Sequence, residues 1–109
     1  MSTEIARVVA ESADQAGLHA PVPALLLELQ SLLGEVTVSV TTSTERGRRP
    51  FRPGPDWPAR LGELAYAVYL LADQTGVDLD QALRGRAGQL HRAGRAAQVD
   101  PPDWPFTEH

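Results

Sequence analysis

Apolar residues recur at three- and four-residue steps along most of the chain, a period that predicts helices. From Thr3 to about Gly17, the positions Ile5, Val8, Val9, Ala13 and Ala16 form one stripe, with Ser2 or Thr3 available as N-cap and Gly17 as terminator. After His19, Pro21-Val22-Pro23 opens a denser run from Ala24 to Val36, and Pro23 suits a first helical turn. So much leucine predicts burial over most of the circumference, at the centre of a bundle or in an oligomer interface. A third helix is expected from Ala59 to Thr75, where Leu61, Leu64, Ala65, Val68, Leu71 and Ala72 are broadened by Tyr66, Ala67, Tyr69 and Leu70. It too should be heavily buried. Gly76 stops it, Val77 links, and Asp78 with Gln81 makes a capping-box-like start for a fourth helix through Leu79, Ala82, Leu83 and Leu90. Gly85, Gly88 and Gly94 weaken that helix, each by about 1 kcal/mol relative to Ala.

Three segments break this period. From Val36 to Thr44 the residues are mostly β-branched and alternate with period two, the pattern of a strand. A lone strand cannot satisfy its backbone, so the segment is read as a continuation of the second helix that frays near Thr41, with a short hairpin-like element as the alternative. Residues 45–58 form a Pro/Gly/Arg loop ending in Asp56, a cap for the third helix. The tail from Arg95 to His109 is polar and Pro-rich, with Trp104 and Phe106 as anchors; Pro55-Asp56-Trp57-Pro58 recurs there as Pro102-Asp103-Trp104-Pro105, either a coincidence or a repeated helix-start turn rather than a shared binding motif.

At 109 residues the chain is expected to be one domain with a core over 22–94 and the tail 95–109 packing on it, small enough to gain from dimerisation. A net charge of -4 argues against a duplex nucleic-acid binder. All ten cations are Arg, the mark of GC-rich coding rather than of function. The absence of Cys removes disulfides, thiolate zinc sites and cysteine nucleophiles. The N-terminus is acidic where a signal peptide would be basic, and no stretch approaches the ~18 apolar residues of a membrane span, so a cytoplasmic protein without membrane attachment is expected.

The segment from Leu61 to Leu83, LGELAYAVYLLADQTGVDLDQAL, closely resembles the core helix, turn and following helix of the MazG-like nucleotide pyrophosphohydrolases. Leu33-Gly34-Glu35-Val36 resembles the same family's preceding site helix, and together these cover roughly Leu25 to Arg86. The resemblance implies an all-α, MazG-like four-helix bundle dimerising through its central helices. It also implies magnesium-dependent hydrolysis of nucleoside triphosphates to monophosphate and pyrophosphate, with two carboxylate pairs, three residues apart on facing helices, forming the oxygen cage for the metal.

Carried over by residue, the first site helix would read Glu-Glu-x-x-Glu and here reads Ser31-Leu32-Leu33-Gly34-Glu35; the second would read Glu-x-x-Asp and reads Arg60-Leu61-Gly62-Glu63. Glu35 and Glu63 keep a carboxylate, while Leu32 and Arg60 occupy the other two ligand positions. A guanidinium competes with Mg²⁺ for the same oxygens, so the expected product is a salt-bridged pseudo-site with weak or absent catalysis. Arg86 falls where many relatives place a phosphate-contacting Lys, but Leu90 stands where an Asn is expected. Mg²⁺ is the cofactor only if the site is active; a nucleotide-binding or regulatory role, or a helical interaction protein without hydrolase activity, are the alternatives.

For Glu35 and Glu63 an ion pair with Arg60 is expected, with retained metal binding or solvent exposure as the other readings. The loop cations Arg46, Arg48, Arg49 and Arg52 form a solvated connector, or else an anion-binding flap in which Arg48, Arg49 and Arg52 meet phosphate. His19, His91 and His109 show no ligand spacing, and no Ser/His/Asp set or Gly-rich phosphate loop is present.

Overall fold

The computed structural model describes residues 4–97, which form four helices and no strand: α1 (Glu4–Ala16), α2 (Val22–Ser43), α3 (Trp57–Thr75) and α4 (Leu79–Ala97). The expected all-α class with four helices holds. The caps proposed at Ser2 and Thr3, and the anchors Trp104 and Phe106 with the second Pro-Asp-Trp-Pro, lie outside the described residues. By their contacts the residues divide into two compact units, one ending at Asp78 and the other beginning at Leu79.

In the first unit α1 and α2 each pack on α3. Leu25 clusters with Leu70, while Glu35 lies within electrostatic reach of Arg60, so α2 and α3 run antiparallel. Ser12 meets Tyr66, and further along His19 and Ala20 meet Asp73 and Gln74, so α1 runs in the same sense as α3. The core is Val9, Ala13, Leu25 and Leu70, flanked by Ala20, Tyr66, Tyr69 and Leu71. Polar bonds fix its edge. The Tyr66 hydroxyl lies 2.7 Å from Ser12 Oγ and donates to the Val9 carbonyl, and the Gln74 side-chain amide pairs with both the N–H and the C=O of Ala20.

Two helices end as their glycines predict. Gly17 (φ +66°) and Gly76 (φ +70°) adopt the left-handed conformation. The following N–H groups of Leu18 and Val77 reach back 2.9 Å to the carbonyls of Ala13 and Ala72. α2 continues through the β-branched segment to Ser43, two residues past the expected fraying point. Thr37 and Thr41 donate their hydroxyls at 2.8 Å to the carbonyls of Leu33 and Thr37, four residues back, so helical backbone satisfies these side chains locally. This helix ends without Gly at the first left-handed position: Glu45 and Arg46 take φ +49° and +60°. The buried Thr44 hydroxyl stabilises the turn by donating 2.7 Å to the Val40 carbonyl and accepting the Gly47 N–H at 3.2 Å. In the loop that follows, Phe51 packs edge-on against Trp57, with ring centroids 4.9 Å apart.

The near-complete burial expected for α2 and α3 is not found among the described residues. Only Leu25 and Val36 of α2 and Leu70 and Ala72 of α3 are buried, whereas Leu27 is 66% and Val38 65% exposed. Within the first unit α1 and α2 cover part of α3, while α2 packs chiefly on α3, so much of both helices stays exposed. The sequence expectation about membranes is also too strict: α2, at 22 residues, is long and apolar enough by length and composition to cross one, because the helix takes in Val36–Ser43, although Glu28 and Glu35 interrupt it. Core helices of soluble proteins meet the same test.

The second unit, described by itself, contains α4, which starts directly after Asp78 as anticipated. It is amphipathic, with Leu83 and Leu90 exposed and Arg84, Arg86, Arg92 and Arg95 along it.

Candidate functional site

Residues three and four apart share a helix face, so Leu32 and Glu35 project together from α2, and Arg60 and Glu63 from the opposing part of α3. The structure brings these four positions to one region but does not form the expected salt bridge. Arg60 turns along its own helix, and its Nε donates to Asp56 Oδ2 at 2.8 Å. Glu35 and Glu63 act on the guanidinium only through longer-range attraction. Both are exposed rather than enclosed among apolar neighbours, so neither carboxylate needs a buried partner. Leu32 and Arg60 are half-buried.

Asp56 occupies the N-cap position of α3, but its side chain makes no capping bond; the carboxylate is taken by Arg60 instead. The hydrogen bond from Arg60 holds the Asp56 carboxyl below the usual carboxylate range, helped by a backbone hydrogen bond. The same bond raises Arg60 above its ordinary value, with smaller contributions from the charges of Asp56, Glu35 and Glu63. The guanidinium is thus a permanent cation held by a neighbour one turn away, an i,i+4 pair that the sequence already contained.

Magnesium requires several hard oxygen ligands in near-octahedral geometry. Two exposed carboxylates beside a guanidinium do not supply them, and among the described residues no group of three or more His, Asp or Glu side chains converges as a metal centre. The donor set as placed does not fit Mg²⁺.

Of the phosphate candidates, Arg86 is exposed on α4 and donates to Gln89 Oε1 at 3.3 Å; it belongs to the second unit, Glu35 and Glu63 to the first. Arg48, Arg49 and Arg52 are exposed in the loop after α2. Arg49 Nε lies 3.3 Å from Glu45 Oε1, and Arg49 and Arg52, with Ser43 and Pro50, line a polar depression of about 470 Å³. Arg48 does not line it.

The larger concavity is a groove of about 870 Å³ bounded by α2, α3 and the turn after α1, with walls that include Leu25, Leu32, Glu63 and Leu70. It also contains Glu28, which sequence reasoning missed. The signal was present: Glu28, Leu32 and Glu35 stand at i, i+4 and i+7 on one helix face. At the groove's end, His19 bridges α1 and α3, its Nδ1 and Nε2 each 3.3 Å from Asp14 and Asp73 respectively. No protein-family model, curated protein or solved structure significantly matches this chain, so the chemistry of its site rests on its own residues.

Proposed function

We propose that this chain is a MazG-like nucleotide pyrophosphohydrolase homologue whose hydrolase site has become non-catalytic, and that it works in the cytoplasm as a helical binding protein. The observation that carries the reading is Arg60, anchored by Asp56 within electrostatic reach of Glu35 and Glu63. In-line attack on a triphosphate needs a divalent cation to neutralise the phosphates and align the water. A fixed guanidinium supplies one positive charge, no open coordination position and no acidified water. Without a metal, Glu28 and Glu63 would repel a triphosphate from the adjoining groove.

The purified protein is expected to release no pyrophosphate above background from common ribo- or deoxynucleoside triphosphates in Mg²⁺ or Mn²⁺. Turnover that is metal-dependent and abolished by Glu63→Ala would overturn the reading. A second role, nucleotide binding without turnover, is favoured by the polar depression of Arg49 and Arg52. It requires saturable binding that weakens when both arginines are replaced by Gln.

A further inference from the structure

The groove between α2 and α3 carries chemistry that neither the metal motif nor the arginine loop uses. We infer that it binds a small amphiphilic organic cation, with an alkyl or aryl body along the apolar floor and an ammonium or amidinium group at Glu28 and Glu63. The inference goes beyond the loss of hydrolysis and does not depend on it.

Three observations converge. The volume of about 870 Å³ falls among small-molecule sites, which span roughly 300–1,000 Å³. Its floor is formed by Leu25 and Leu70, and it stays open because Ala24, Ala59, Gly62 and Ala67 stand where larger side chains would fill it. A Cβ built at Gly62 meets nothing within 4 Å. Apolar surface here can therefore be covered by a ligand without moving the helices.

The polar groups then choose the sign of the ligand. Tyr66 turns its hydroxyl to Ser12 and the Val9 carbonyl, and both nitrogens of His19 face Asp14 and Asp73. Among the described residues, what the walls still offer is two carboxylates, Glu28 and Glu63, and no arginine. Arg60 does not line the groove; its guanidinium is bonded to Asp56 and reaches Glu63 only through longer-range attraction. An anion is repelled by this arrangement, a neutral apolar molecule gains only burial, and a cation with an apolar body gains from both parts.

The test uses n-octylammonium, n-octanesulfonate and n-octanol, each below its aggregation concentration, titrated into the full-length protein and followed by calorimetry and by NMR of the Leu25, Ala67 and Leu70 signals. Saturable binding of octylammonium at one per groove is expected, with weaker or no binding of the other two. Glu28→Gln combined with Glu63→Gln should weaken octylammonium by about tenfold or more and flatten its salt dependence. Gly62→Leu should fill the groove and abolish binding; circular dichroism melts report whether each variant folds. Should Gly62→Leu fail to fold, the charge pair decides alone, since both of its side chains are exposed. The proposal is overturned if octylammonium does not saturate, if sulfonate or octanol binds equally well, or if the double Gln variant binds unchanged. Exclusion of octylammonium by a second copy of the chain seated in the groove would overturn it as well. Pyrophosphate release, measured without these probes, separately tests the non-catalytic reading.

Discussion

At the residue scale, the consequential contact is the single hydrogen bond between Arg60 and Asp56. It keeps the guanidinium from collapsing onto Glu35 or Glu63 and leaves those carboxylates in solvent. Because the Asp56 carboxyl is held below its ordinary value, its ionised form is favoured in the folded state. The stabilisation is present at pH above the ordinary range and is lost as pH falls through the lowered folded value. Asp56→Asn should therefore lower the melting temperature slightly at pH ~7 and progressively less below the ordinary Asp value of about 3.9. The pair is exposed, so added salt should shrink the difference too. A difference that persists unchanged in acid would show that Asp56 acts through something other than its charge. The sequence displayed this i,i+4 pair openly, but Asp before a Trp-Pro helix start reads equally well as a cap, and only the side-chain direction separates the two roles.

At the element scale, glycine has opposite effects at helix ends and helix interiors. Gly76 takes φ +70°, a conformation in which a Cβ is strained, whereas Gly34 lies inside α2 with open space around a built Cβ. Gly76→Ala should destabilise the protein by about 1 kcal/mol, and Gly34→Ala should stabilise it by roughly 0.5–1 kcal/mol. Urea unfolding of the two variants beside the parent checks both signs; matching signs would mean that the Gly76 turn does not persist in solution. The end of α2 was harder to read, since its left-handed residues are Glu45 and Arg46, which carry no such signal. Its β-branched run was legible as helix because a solitary strand has no partner, and the hydroxyls of Thr37 and Thr41 close back on the helix.

At the scale of the whole molecule, the first unit leaves large apolar residues of α2 and α3 exposed. Leu26 and Leu33 stand seven residues apart on α2, as do Leu61 and Val68 on α3, and all four are exposed. Residues seven apart lie nearly in line along a helix, so each pair is a seam that a second copy can cover. We propose a homodimer formed through these helices. Sedimentation velocity should show a dimer at roughly micromolar concentration, and Leu26→Gln with Leu33→Gln should shift it to monomer. A parent that stays monomeric at tens of micromolar would sink the proposal, and partition of the parent into lipid vesicles would assign the apolar length of α2 to a membrane instead.

The sequence by itself determined the four helices and the glycine stops of α1 and α3, which depend on the hydrophobic period and on backbone conformations settled within a few residues of each other. Leu32, Glu35, Arg60 and Glu63 were singled out only by the resemblance to the MazG-like pattern. Only the tertiary structure decided that Arg60 binds Asp56, that Glu28 and Glu63 share a groove, and that most of α2 remains exposed among the described residues. These depend on which faces of α2 and α3 meet and in what register, and on how little of a long helix two neighbours can enclose. A one-dimensional pattern records that a face is apolar, but the packing of distant helices determines what covers it.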